Sequence, residues 1–319
     1  MYYTEERTYD MKKLISTKGL PREEWLKYRK MGIGGSDAGA VCGMNPYSSP
    51  MKVYYDKTNS AISAYDNETL RQGRDLEEYV AKRFSEETGM KVRRANAIYY
   101  DEDRPYMIAD ADRLLVGVNA GLECKTVSPY SADKWKDGQI PLHYQIQCYH
   151  YMSVFGMKEW YIAALILGRD FVIQKLVWDE RIIENIRQIE KSFWENNVEK
   201  RNLPDPDGSE VSDQLIMETF KSADQGKEIV LSGFSEKLKR RNELAELIRK
   251  MDTEKKQIEQ ELKIFLGDAE KAEGEGFRVS WKNILTNRMD VERLKKEEPE
   301  IYEKYQRVIN SRRLTVKVA

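Results

Sequence analysis

The chain predicts a mixed α/β domain with a central sheet flanked by helices, followed by a mainly helical extension. Three observations carry this. Up to about residue 200, runs of strand length and segments of helical periodicity follow the order helix, three strands, helix, two strands, helix. Gly168-Arg169-Asp170 separates two apolar runs as a hairpin turn does. Asn202-Leu203-Pro204-Asp205-Pro206-Asp207-Gly208 reads as a linker, beyond which the composition turns charged and helical. The expected domains are therefore residues 1–203 and 209–319, the second ending in a short strand pair.

Taken in order, residues 21–31 open with Pro21 and place Trp25 and Tyr28 at helical spacing. Gly32-Ile33-Gly34-Gly35-Ser36-Asp37 follows. Its glycines let backbone amides approach an anion, and Ser36 is placed to cap the next helix; a flexible turn before a small-residue helix explains the same letters. Ser49-Pro50 starts a helix to about Lys57, and residues 67–88 form a long one with Leu70, Leu76, Val80 and Phe84 on its apolar stripe. Strands are expected near 96–101, 105–111 and 120–127, a helix over 142–155, strands near 159–167 and 171–178, and a helix from Asp179 to about Lys200. In the extension, Leu238, Leu244, Leu247, Ile248, Met251, Ile258, Leu262 and Phe265 mark one long amphipathic helix over 234–266, suited to a coiled coil or hairpin. Phe277–Trp281 alternates like a strand that Leu314–Val318 is able to pair with, and 290–309 reads as a helix that Pro299 threatens to break.

Composition excludes several classes. No stretch approaches the ~20 apolar residues of a membrane span, and the N-terminal residues Met1–Arg7 lack a signal-peptide core, so a cytoplasmic protein is expected. Cys42, Cys124 and Cys148 are scattered and fit no zinc, iron–sulfur or disulfide spacing. His143 and His150, the only histidines, read as separate polar or packing residues rather than zinc ligands. With 53 Lys+Arg against 54 Asp+Glu, DNA contact must come from local clusters such as 27–30, 91–94 and 239–241, each of which is equally a solvated face.

The chemistry gathers at Ile108-Ala109-Asp110-Ala111-Asp112 and Leu122-Glu123-Cys124-Lys125-Thr126. On a strand, Glu123 and Lys125 point the same way. A hairpin from the preceding apolar run would bring Asp112 alongside. Two carboxylates suit a hard cation such as magnesium. A lysine beside them orients or deprotonates a water, which is the equipment of metal-assisted phosphodiester hydrolysis. In a chain that is 34% charged, the spacing alone also arises by chance; the apolar frame around these charges favours a site.

Four ordered segments resemble the YqaJ-like phage recombinase nucleases, relatives of lambda exonuclease in the PD-(D/E)XK superfamily. They are Trp25-x3-Arg29-x4-Gly34-Gly35-Ser36-Asp37, Gly73-x3-Glu77, Ala111-Asp112 with Glu123-Cys124-Lys125, and Gln145-Ile146-Gln147-x2-His150-x5-Gly156. Ala111 stands where the superfamily usually has proline. The resemblance spans residues 20–200 and implies a restriction-endonuclease-like core.

It further implies that Asp112, Glu123 and the carbonyl of Cys124 hold magnesium, with Glu77 serving a second ion and manganese able to substitute. Lys125 would activate the water and Gln145 would orient it, with Gln147, Asp110 and Asp101 ranked below. Arg29 and Ser36, with Gly35 and Trp25 beside them, would receive a 5′ phosphate. The implied activity is 5′→3′ exonuclease action on double-stranded DNA ends, leaving 3′ strands for a single-strand annealing recombinase, by a homo-oligomer without membrane association. Two alternatives remain: a structure-specific endonuclease of the same fold, and a catalytically silent DNA-binding or coiled-coil scaffold.

Overall fold

The computed structural model describes residues 12–59 and 67–317; the expectations resting on Met1–Arg7 and on Val318 lie outside them. In chain order the elements up to the linker are β1 (Lys12–Ser16), α1 (Arg22–Arg29), α2 (Gly35–Val41), α3 (Pro50–Thr58), α4 (Glu68–Thr88), β2 (Val92–Arg94), β3 (Ala97–Tyr100), β4 (Ile108–Ala109), β5 (Arg113–Leu115), β6 (Ala120–Val127), a 3₁₀ segment (Pro129–Gly138), α5 (Leu142–Phe155), β7 (Glu159–Ile166), β8 (Asp170–Val177) and α6 (Glu180–Phe193), which runs into a π-helical stretch (Trp194–Glu199). Compact packing continues past the linker through α7 (Glu210–Thr219), so the first unit ends at Thr219.

The central sheet has the order β2-β5-β6-β7-β8, with β6 and β7 parallel and the other pairs antiparallel. The parallel pair needs a crossover, and the 3₁₀ segment with α5 supplies it. A second, three-stranded sheet has the order β1-β3-β4. Strand β6 decides what each face of the central sheet holds. Ala120, Leu122 and Cys124 pack with Val80, Ala81 and Phe84 of α4, while Val127 joins the cluster under α5. Gly121 also faces α5, where any Cβ would collide with the Trp160 ring. Glu123 and Lys125 share that parity and so lie on the α5 side.

Local signals behave as the residues dictate. Ser49, Asn67 and Asp179 each accept a backbone N–H in the first turn of α3, α4 and α6. Ser36 does not cap α2: Gly34 is its N-cap and the Asp37 carboxylate accepts the Gly34 N–H at 3.1 Å. The expected strand over 105–111 contracts to Ile108–Ala109, because the chain before it turns at Asp101 and Arg104 and Met107 bridges to Ile33.

The second unit, Phe220–Ala319, contains α8 (Ser235–Leu266), a hairpin of β9 (Lys271–Gly274) and β10 (Phe277–Ser280), α9 (Val291–Glu297) and α10 (Pro299–Tyr305). Two expectations are corrected here. Phe277–Ser280 pairs with Lys271–Gly274, the nearest segment a turn at Glu275-Gly276 can reach, and 314–317 form no strand. The 290–309 helix is two helices, because Pro299 cannot donate to the first and begins the second.

Candidate active site

The hairpin expected beside Asp112 exists, but its first strand is β5, just after the aspartate. Arg113 pairs with Leu122, and one further step of that register sets Asp112 beside Glu123. The Asp112 Oδ2 accepts the Cys124 N–H at 2.7 Å, which fixes the carboxylate against β6. On the α5 side, Glu123 Oε1 accepts from Lys125 Nζ at 2.5 Å and from Gln147 Nε2 at 2.6 Å. Lys125 Nζ also lies 4.7 Å from the centre of the Tyr144 ring. Glu123 Oε2 is buried with no partner.

Burial, with Glu123 and Glu77 nearby, raises Asp112 well above the usual carboxylate range, against the pull of Lys125. Glu123 is raised for the same first reason, with Lys125 and Gln147 opposing. Burial disfavours the Lys125 charge, but Glu123, Tyr144 and Asp112 outweigh it and raise its pKa. Lys125 is therefore an ammonium donor here, suited to orienting a water rather than accepting its proton.

A cation would relieve these strains. Two crowded carboxylates, one with an unpartnered buried oxygen, form an oxygen donor set that magnesium favours, and the Cys124 peptide carbonyl between Glu123 and Lys125 adds a third oxygen of the right class. Among the described residues no three His, Cys, Asp or Glu side chains stand grouped for a metal as they are. Glu123 Oε1 is occupied by Lys125 and Gln147, and Glu77 is bound to Arg113, whose other nitrogen donates to Glu78 at 3.0 Å.

The acids open onto a cleft of about 370 Å³ that Trp25, Arg29, Gly34, Gly35, Ser36 and Asp110 also line, together with Arg74, Arg94 and Tyr151. Arg29 donates to Ser36 Oγ at 2.6 Å and stacks 4.8 Å from the Trp25 ring centre. Trp25 Nε1 donates to Asp110 Oδ2 at 2.6 Å. Tyr151 Oη donates to the Asp110 carbonyl at 3.2 Å and accepts from Gln147 at 3.1 Å. Hydrogen bonds thus run from the candidate phosphate pocket through Asp110 and Tyr151 to Gln147 and Glu123. Gly35 is required beside this chain, since a Cβ there would sit 2.5 Å from the Tyr151 ring.

Two sequence candidates lie elsewhere. Gln145 donates to the Ile140 carbonyl at 2.6 Å and borders a surface pocket with Gln174 and Leu176. Positions two apart on a helix point about 200° apart, so only one of Gln145 and Gln147 can face Glu123, and it is Gln147. Asp101 closes a turn, accepting from the Asp103 and Arg104 amides and the Arg104 side chain. Sequence reading missed Arg113, Tyr144 and Tyr151. Tyr151 was recoverable as the residue one turn beyond Gln147; Arg113 is a buried cation in a three-residue strand with no periodic signal. His150, buried on α5, bonds Glu190 of α6 and the Ile108 carbonyl of β4, both at 2.8 Å, and so is a packing pin.

This sheet, with its acids at the β5–β6 hairpin and a lysine two residues on, defines a nuclease-type core of the PD-(D/E)XK class. The chain belongs to the YqaJ-like viral recombinase domain family, whose model matches residues 24–158. It is 33% identical over 308 residues to the uncharacterised protein YqaJ of Bacillus subtilis strain 168, covering 95% of this chain and 97% of that one. A crystal structure of LHK-Exo in complex with dAMP shares the fold, with a TM-score of 0.50 and 18% identity over 63% of this chain and all of that one. A structure of the alkaline exonuclease LHK-Exo from Laribacter hongkongensis matches with a TM-score of 0.49, 18% identity and the same coverage. Among the described residues no helix is long and apolar enough to cross a membrane.

Proposed function

We propose that the protein is a magnesium-dependent deoxyribonuclease that degrades double-stranded DNA ends 5′→3′ and leaves 3′ single strands for an annealing recombinase. The observation that carries the chemistry is the Asp112–Glu123–Lys125 group, built around a buried Glu123 with one unpartnered oxygen. Asp112, Glu123 and the Cys124 carbonyl would hold the ion, and Glu77, which lines the same cleft, is the further carboxylate for a second ion. Bound there, magnesium supplies charge to the scissile phosphate and lowers the pKa of a water. Lys125, held as an ammonium by Glu123, donates to that water or to an oxygen of the phosphate whose phosphorus the water attacks. Gln147 fixes the orientation of Glu123, whereas the resemblance gives Gln145 the orienting of the water.

The polarity rests on the Arg29–Ser36 pocket. Arginine and hydroxyl donors bind a terminal phosphate by charge-assisted hydrogen bonds, and Trp25 holds the guanidinium in place. The chemistry is assigned to residues 1–203 and assembly or partner recruitment to 209–319.

Linear duplexes labelled at one end, with and without 5′ phosphate, test the reading in magnesium and in manganese. Release should begin at the 5′ end, favour the phosphorylated duplex and stop with chelator. Lys125→Ala should abolish it while DNA binding persists, and Arg29→Ala should erase the phosphate preference. Normal turnover by folded Lys125→Ala removes this site; equal digestion of both ends by wild type removes the pocket.

A further inference from the structure

Within its own unit, helix α8 leaves its apolar seam without a partner among the described residues. From Leu244 to Phe265 the face repeats at alternating steps of four and three: Leu244, Ile248, Met251, Lys255, Ile258, Leu262, Phe265. That is a heptad seam of about 33 Å at 1.5 Å per residue. Its apolar members are 39% (Leu262) to 81% (Phe265) exposed. A seam of this regularity is built to receive another helix.

Charge along α8 says which one. Residues 235–245 carry four cations and two anions, whereas 257–266 carry two anions and one cation, with Asp268 and Glu270 just beyond the last turn. A second α8 laid parallel would stack like on like, set Lys255 against Lys255 and bring Glu254 toward Glu259. Laid antiparallel, the basic end of each copy covers the acidic end of the other. The seam then matches Leu244 with Leu262, Ile248 with Ile258 and Met251 with Lys255. The same register sets Asp252 opposite Glu254 of the second copy, and Lys255 of each copy lies within one turn of both acids and offsets their repulsion, so the one seam cation gains partners. Opposed helix dipoles act in the same direction. We infer that α8 is a self-association element, pairing two copies of this chain through an antiparallel coiled coil. The inference stands independently of the nuclease reading.

Two measurements on the full chain test it. Light scattering at micromolar concentration should give wild type a mass at least twice the 37.4 kDa chain, halved by Ile248→Glu. Ile248 is 59% exposed, so this variant keeps its fold, which circular dichroism verifies. In a Cys42→Ser background, chains carrying Ile248→Cys and chains carrying Ile258→Cys should form a disulfide-linked dimer when mixed and oxidised, and none when either is oxidised alone. A monomeric wild type, an Ile248→Glu protein of unchanged mass, or a crosslink within either single variant would each overturn the inference; the last would mean a parallel pair.

Discussion

Arg113 is the most informative residue to perturb. It is 3% exposed and donates to Glu77, to the Asp112 carbonyl at 2.8 Å and to Glu78 at 3.0 Å. Removing one partner of a buried ion pair costs about 3–5 kcal/mol. Here the carboxylates are 33% and 66% exposed, and Glu78 retains Arg94 at 2.6 Å, so water and Arg94 compensate part of the loss. The unpaired Asp112 carbonyl adds about 1 kcal/mol. Arg113→Gln should therefore destabilise the metal-free protein by roughly 2–3 kcal/mol.

A divalent cation should then offset part of the loss. Freed from Arg113, Glu77 faces the cleft with Asp112 and Glu123, and three carboxylates bind a cation more tightly than two. A tenfold gain in affinity corresponds to about 1.4 kcal/mol, which would recover about half of the loss at saturation. Urea unfolding followed by tryptophan fluorescence, with and without manganese, reads both quantities, and calorimetric titration reads the affinity. If Arg113→Gln is equally destabilised with and without cation, or binds manganese no better than wild type, Arg113 does not compete with an ion for Glu77.

Other expectations follow from single contacts. Gln147→Leu should lower turnover at least tenfold and spare duplex binding, whereas Gln145→Leu should leave turnover within about twofold; steady-state digestion rates of the pair decide which glutamine serves Glu123, and tenfold corresponds to about 1.4 kcal/mol. Gly35→Ala should cost about 1–3 kcal/mol by displacing the Tyr151 ring, visible as a lower urea midpoint together with a loss of activity. His143 offers a pH test. Burial, helped by Lys125 and Lys134, lowers its pKa to about 4. A histidine held neutral in the fold contributes stability that is present above about 6.5 and is lost as pH falls through 4. The stability of wild type relative to His143→Gln should therefore fall by about 1–3 kcal/mol between pH 7 and 4; a flat difference would mean the ring is already solvated.

Sequence alone revealed the large elements because their residues state their surroundings. β7 and β8 are apolar runs joined by Gly168, and α5 ends at Gly156 in a left-handed conformation. The short strands β1, β2 and β5 were invisible. Val92-Arg93-Arg94 and Arg113-Leu114-Leu115 are too brief to show alternation, and their arginines read as surface charge. The acidic pair was nevertheless legible from the apolar frame around it, although the strand that sets Asp112 beside Glu123 is β5, after the aspartate, and not the apolar run before it. The glutamines were not, because choosing between Gln145 and Gln147 requires the rotation of α5, which its surroundings fix.

What links the legible and illegible parts is the α5 face of β6. That face must hold an indole, two opposite charges and a valine in successive alternate positions, and it can do so only because Gly121 has no side chain. Trp160 fills the space over Gly121, so α5 packs closely at that end and Tyr151, in contact with Trp160, is fixed there. One turn earlier on α5, Gln147 then meets Glu123, and Tyr144 meets Lys125. Replacing Gly121 with alanine should therefore disturb the candidate site as well as the core. Its variant should lose activity by more than its loss of stability explains, measured as turnover at a temperature where both proteins are fully folded; unchanged turnover there would separate the Trp160 packing from the placement of Gln147 and Lys125.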